Sequence, residues 1–248
     1  MRPLLALALA AALALAAALA TPAAAQLALP EARTIGIPLF MGAGEMDFGN
    51  GTTASGVTSP VPGFVATDFD RTASLGRYVV IDVSGGMAVV ACFAIPCSGL
   101  PEERNGVEVE GDGAVFLDGV LLPRFDAGLL LPTPLGGVGG GFTLGASGIS
   151  SAEEAYGWVD FGGQLAYGAA VGPAQLVATG TYAVGFEGGS QALTGRAVKV
   201  RADVVVPRDG IDLVGFVSFD RHTDSQGTDA EADDFRSSFL TFGAGIGF

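Results

Sequence analysis

The stretch that decides the fold closes the chain: Leu240-Thr241-Phe242-Gly243-Ala244-Gly245-Ile246-Gly247-Phe248. In an extended chain Leu240, Phe242, Ala244, Ile246 and Phe248 share one face, and Thr241, Gly243, Gly245 and Gly247 share the other. Successive side chains of a strand point to opposite sides. A period of two, with one apolar face and one small or polar face, therefore predicts a β-strand. An apolar strand ending on a bare Phe is a poor edge for a soluble protein, because it templates pairing with other chains.

The same pattern repeats upstream. Over 211–220, Ile211, Leu213, Val217 and Phe219 oppose Asp212, Ser218 and Asp220. Over 197–206, Val198, Val200, Ala202, Val204 and Val206 oppose Lys199, Arg201 and Asp203. Residues 174–187, 157–171 and 138–148 behave alike, with Asp160, Gln164, Thr179 and Thr181 on the polar face. Over 115–131, Val115, Leu117, Leu121, Phe125 and Leu129 oppose Asp118, Arg124 and Asp126. Further strands are expected near 34–46, 61–71 and 77–92, which brings the total to ten; eight or twelve also fit. Most of these runs reach the roughly 9–11 residues a tilted strand needs to cross a bilayer. Strands of a soluble sandwich are nearer about 5–6 residues.

The links alternate in length. Segments 207–210, 172–173 and 132–137 are short, whereas 221–233, 188–194 and 93–114 are longer. Short turns at one end and long loops at the other are the habit of an up-and-down barrel in a membrane. The expected fold class is therefore all-β: a transmembrane antiparallel up-and-down β-barrel of about ten strands. In that barrel the apolar face meets lipid, and closure satisfies every backbone hydrogen bond.

The closing segment also resembles the C-terminal assembly signal of bacterial outer-membrane barrels, alternating apolar residues that end on an aromatic. The resemblance implies recognition by the barrel-assembly machinery through Leu240, Phe242, Ile246 and Phe248, with periplasmic chaperones on the route. Ile246 departs from it, since that position often carries an aromatic.

The chain's beginning suits the same route. Arg2 precedes an unbroken Leu/Ala run from Leu4 to Ala20, and Ala23-Ala24-Ala25 precedes Gln26. This is the layout of a cleaved secretory signal peptide over 1–25, which leaves 26–248 as one barrel domain exported to the outer membrane of a Gram-negative envelope. The remainder keeps 11 basic and 26 acidic residues, a net charge of −15. That balance excludes nucleic acid as a partner, because phosphate binding needs a basic face. The expected surroundings are outer-membrane lipid and lipopolysaccharide, with small solutes as further partners if the lumen is open. Cys92 and Cys97 are expected to form a short-loop disulfide in the oxidising periplasm, the alternative being two buried thiols. No Cys/His set has metal-ligand spacing, and no cofactor motif is present; Gly136–Gly141 is glycine-rich but strand-like.

Among candidate functional residues, the inward charges Asp118, Arg124, Asp126, Lys199, Arg201 and Asp203 stand out. They can line a selective pore, or they can pair and fill a narrow lumen. The acidic stretches 98–114 and 221–233 read as solvated loops, with a cation site as the alternative. Tyr156, Trp158 and Tyr167 are candidates for interfacial aromatic girdles. His222 is the only histidine. Asp220-Arg221-His222 and Asp68-Phe69-Asp70, both read near external strand ends, resemble the two aspartate motifs of omptin proteases. That resemblance implies a hydrolase in which a carboxylate orients His222; the plainer reading of His222 is an exposed surface residue. Beside the filled barrel acting in envelope structure, surface interaction or limited passive permeation stand a porin-like channel, this hydrolase, and a secreted soluble β-sandwich adhesin. The expectation is a non-enzyme with no catalytic residue.

Overall fold

A computed structural model describes residues 28–47, 53–57, 61–72, 74–91, 103–104, 107–108, 115–150, 155–187, 193–224 and 236–248, with side chains described for a narrower set. Ten long strands make one antiparallel sheet: β1 (Ala32–Asp47), β2 (Phe64–Arg71), β3 (Gly76–Ala91), β4 (Val115–Thr133), β5 (Gly136–Ser150), β6 (Ala155–Val171), β7 (Ala174–Glu187), β8 (Leu193–Val206), β9 (Asp212–Asp224) and β10 (Arg236–Gly247). Each pairs with its sequence neighbours, and β10 pairs back onto β1 from Gly36↔Gly247 to Asp47↔Arg236, so the sheet closes. The last residue takes part in the seam: Phe248 donates its backbone N–H to the Ile35 carbonyl (2.9 Å) and accepts from the Ile35 N–H (3.1 Å). Among the described residues all ten long strands belong to this one closed sheet, and the other pairing, 103–104 with 107–108, is a two-residue ladder too small to face it, which overturns the soluble β-sandwich reading.

The start of β1 and the end of β10 lie at one end of the barrel, with the turns 72–75, 134–135, 172–173 and 207–211. The remaining connections, the longest ones (92–114 and 225–235) among them, lie at the other. These are called the terminal end and the loop end below. The tight turns follow local chemistry. Gly172 has φ +58° at the first central position of the two-residue link between Val171 and Ala174, where a type II′ turn requires glycine.

One strand is less regular than the sequence suggested. The stretch 47–60 reads as a loop, yet Thr53–Val57 and Val61–Pro62 both pair with β1 beyond the end of β2. Together they continue the second wall strand in pieces. Pro62 cannot donate to the ladder, and a Cβ on Gly63 would collide with the Phe40 ring, so the strand breaks where Phe40 needs room.

The polarity is inside out. Along β1, Ile35, Ile37, Leu39 and Met41 face outward, while Thr34, Gly36, Pro38 and Phe40 are buried. Outward apolar residues continue round the wall through Phe142 and Leu144, Phe161 and Leu165, Val198 and Val200, and Phe242 and Ile246. On β4–β6 the outer rings run in series, Phe125 against Phe142 (5.8 Å between centroids) and Phe142 against Phe161 (6.4 Å). Along β8 the band spans Val198 to Val206, about 20 Å of barrel height for a strand tilted by roughly 40°. Leu165 is 78% exposed near the middle of the band on β6. Leu165→Arg is expected to destabilise the protein by about 2–4 kcal/mol in lipid vesicles, and Leu135→Arg at the terminal-end turn by less than about 1 kcal/mol. Denaturant unfolding from vesicles checks this; equal costs at both depths would contradict a lipid-facing band.

Candidate functional site

The interior has layers. At the terminal end it is apolar: Phe69 of β2, Tyr78 of β3, Leu130 of β4, Val177 of β7, Val205 of β8 and Val214 of β9 meet in one buried cluster. The chain ahead of β1 completes it. Ala28 bridges to Ala170, whose N–H donates to the Ala28 carbonyl (2.8 Å), and the Glu31 N–H donates to Gln175 Oε1 (2.9 Å). β6 lies half-way round a ten-strand ring from β1, so residues 28–31 strap the mouth from wall to wall. Leu29 and Pro30 are buried beneath the strap. Leu29 fits because Gly76 and Gly137 lack a Cβ there, and Pro30 occupies the space beside Gly168.

Above this layer the lumen is charged. Arg201 on β8 holds Asp203 through Nε and Nη2 (2.7–3.0 Å) and reaches Asp82 on β3 through Nη1 (2.6 Å). β3 and β8 are also half-way round the ring from one another, so this one guanidinium spans the lumen. Its carbon stacks 4.1 Å from the Phe216 ring centroid. Lys199 Nζ donates to both oxygens of Asp160 (2.9 and 2.8 Å). Arg124 pairs with Asp126 (2.6 Å), and its Nη2 lies 3.4 Å from the hydroxyls of Thr179 and Thr181 across the lumen. All these charged side chains are almost completely buried. Buried charge persists where it is paired and hydrogen-bonded, and each cation here has a carboxylate at ion-pair distance.

Toward the loop end the charged layer floors a cleft of about 500 Å³, counting the solvent at its mouth. Trp158 and His222 form part of its wall, stacked with ring centroids 4.1 Å apart and planes 20° from parallel. Asp220, Ser218, Ser237 and Phe239 line the rest of the rim.

The sequence-predicted residues fall as follows. Arg124, Asp126, Lys199, Arg201 and Asp203 sit together in the charged layer. Asp118 pairs through its backbone with Ala88, and its side chain lies outside the described residues, as do Cys92 and Cys97. Most of the two acidic loop stretches and the side chain of Tyr156 also lie outside them. Leu240, Phe242, Ile246 and Phe248 form the outward row of the seam strand. Three expectations are corrected. Trp158 is not a girdle residue, because its position in β6 turns the indole inward, where it is buried. His222 is not an exposed surface residue: it is 4% exposed, on the inner face of β9. Asp68 and Asp70 lie at the terminal end, since Phe69 pairs with Ala32 at the start of β1, whereas His222 lies near the loop end, where β8 residue Gly195 pairs with Asp224. Asp68 and Asp70 also pair with Arg33 and Arg77, away from the lumen. The two omptin-like motifs therefore never meet.

Asp82 was missed. It lies in Val79-Val80-Ile81-Asp82-Val83, and the lone acid in that run was the available signal. Among the described residues no group of three or more His, Cys, Asp or Glu side chains is placed to hold a metal.

A sheet closed on itself, charged and hydrogen-bonded within and apolar without, defines a membrane-spanning β-barrel. No protein-family model matches the chain, and no curated protein does. Solved structures similar to it in fold include the outer membrane protease OmpT from Escherichia coli (9% identity, 87% of this chain and 95% of that one, TM-score 0.40). Others are the Pseudomonas putida toluene transporter TodX (8%, 87% and 88%, 0.37) and an anion-selective porin from Comamonas acidovorans (10%, 87% and 98%, 0.29).

Proposed function

We propose that this protein is an integral outer-membrane barrel with a filled lumen, serving envelope structure and surface interaction at its loop end rather than free diffusion. The observation that carries this reading is the Asp82–Arg201–Asp203 bridge across the lumen, above an apolar layer that residues 28–31 strap shut. An open channel needs a continuous wet path, and hydrophobic constrictions stop ions by dewetting. Small barrels are generally filled by side chains. In this orientation the terminal end faces the periplasm and the loops face outward, as short turns and long loops do in such barrels. The apolar row Leu240, Phe242, Ile246 and Phe248 on the seam strand is the proposed mark for the assembly machinery, and lipid and lipopolysaccharide surround the wall. The leader over 1–25 and a Cys92–Cys97 disulfide belong to the same export proposal.

Folded protein reconstituted in planar bilayers is expected to show no stepwise conductance above baseline. Regular conductance steps from the unaltered protein would overturn the filled-lumen reading in favour of a porin-like channel.

A further inference from the structure

We propose that the outer wall at the loop end binds the phosphate group of an outer-leaflet lipid, gripped by Arg196 and Arg221 with Arg236, Thr223 and Ser238 around them. This deepens the proposed place of lipopolysaccharide beside the wall and rests on the orientation proposed there.

On three adjacent strands the outward apolar row stops at nearly the same level. Its last members toward the loops are Val198 on β8, Phe219 on β9 and Leu240 on β10, and the next outward residues are Arg196, Arg221 and Ser238. The sheet register sets these in two rows. Val198, Arg221 and Ser238 stand opposite one another, and one step nearer the loops so do Arg196, Thr223 and Arg236. Neighbouring strands lie about 4.8 Å apart, so Arg196 and Arg236 flank Thr223 on either side, with Arg221 about 7 Å away along β9. Long side chains meet across such diagonal spacings, which brings the guanidinium groups within reach of one anion beside the Thr223 hydroxyl.

Ion pairing separates this set from the other basic clusters. In the lumen Arg124, Lys199 and Arg201 are each held by a carboxylate. At the terminal-end margin of the apolar band Arg33 and Arg77 are tied to Asp68 and Asp70, and Arg71 to Glu31. Arg196 and Arg221 are exposed and have no ion pair among the described residues. Asp47 and Glu45 of β1 stand opposite Arg236 and Ser238 and bound the set on that side. They are two strands from Arg221 and three from Arg196, about 10 and 14 Å across the sheet, where salt screens much of their field. Asp220 lines the cleft on the inner face of β9. A phosphate suits the set because its oxygens accept from several guanidinium forks at once, and a monoester carries nearly two charges. A lipid suits it better than free phosphate, because Val198, Val200 and Phe242 continue the wall below as an exposed apolar surface for acyl chains.

Native mass spectrometry of protein folded in a neutral detergent counts bound lipids. The protein is titrated with diphosphoryl lipid A, with lipid A stripped of its phosphates, and with inorganic phosphate. Saturable binding of lipid A is expected, at least about tenfold tighter than of the stripped lipid or of inorganic phosphate. Arg221→Gln and Arg196→Gln are each expected to weaken it about tenfold while the protein keeps its folded gel mobility. Arg33→Gln, whose guanidinium is already held by Asp68, is expected to change nothing. No saturable lipid A binding, equal binding of the stripped lipid or of inorganic phosphate, full affinity in both Arg196→Gln and Arg221→Gln, or an equal loss in Arg33→Gln would overturn the proposal. Detergent removes sidedness, so the orientation is read separately, by an impermeant thiol reagent on Asp209→Cys at the terminal end in intact cells, with Cys92 and Cys97 replaced by serine. No labelling is expected; labelling would overturn the outer-leaflet placement even where lipid A binds in detergent.

Discussion

Arg201→Ala is expected to be among the most destabilising single substitutions in the barrel, costing about 3–5 kcal/mol. The side chain is 2% exposed, and the carboxylates of Asp82 and Asp203 are 1% and 5% exposed. Removing the guanidinium leaves two buried negative charges without the group that spans them, and it also removes the contact with Phe216. The cost arises from stranded charge rather than from lost packing, which a second variant separates. With Asp82→Asn and Asp203→Asn added to Arg201→Met, the network is neutral and most of the lost stability is expected to return, since a buried ion network can be replaced by uncharged groups at little net cost. Denaturant midpoints in vesicles measure both. If the triple variant is no more stable than Arg201→Ala, the charge account is wrong.

The second large effect concerns permeation, and it is conditional. The apolar layer with its strap and the charged layer above it lie in series along one lumen. The tighter of two barriers in series sets the current, so opening either one alone changes little. Deleting residues 28–31 removes Leu29 and Pro30 from the terminal mouth but leaves Arg201 across the lumen. Arg201→Ala opens the charged layer but leaves the strap. Each single variant is expected to stay close to the silent baseline in planar bilayers, and the double variant to conduct in discrete steps. Conductance from the strap deletion alone would show that the charged layer is no barrier. A silent double variant, shown by its gel shift to be folded, would mean that the remaining apolar cluster seals the lumen without the strap.

The ten strands were legible because lipid and lumen impose opposite demands on alternate residues. Lys199, Arg201 and Asp203 between Val198, Val200, Ala202 and Val204 leave one assignment of faces. The dry layer was harder to see. There the inner face is apolar too, so alternation disappears into runs such as Leu129-Leu130-Leu131 and Val204-Val205-Val206. Those runs mark the terminal end, but by periodicity alone they say only that both faces are apolar. The strap was invisible for another reason. Leu29 and Pro30 are short of any pattern, and the glycines that receive them, Gly76, Gly137 and Gly168, lie far away in sequence.

The site was legible by type but not by partner. The strand pattern named five of the charges in the layer and also Asp160. Which of them pair is fixed by the circumference of the ring, and a contact such as Arg201 to Asp82 follows only from closure of the sheet. His222 and Trp158 were misplaced by the habits of their residue types, a histidine at the surface and a tryptophan at the interface. Their position in the period-two pattern, on the same faces as Ser218 and Asp160, was the better guide.

The central claim, an inside-out barrel folded in a membrane, is tested most directly by the mobility of the envelope-fraction protein on a denaturing gel, unboiled and boiled. The account predicts a band in the outer-membrane fraction, resistant to carbonate extraction, that shifts on boiling because the closed sheet resists detergent until heated. An unshifted band in the soluble periplasm or the medium would contradict it, for the apolar band would then have to be covered by protein rather than lipid.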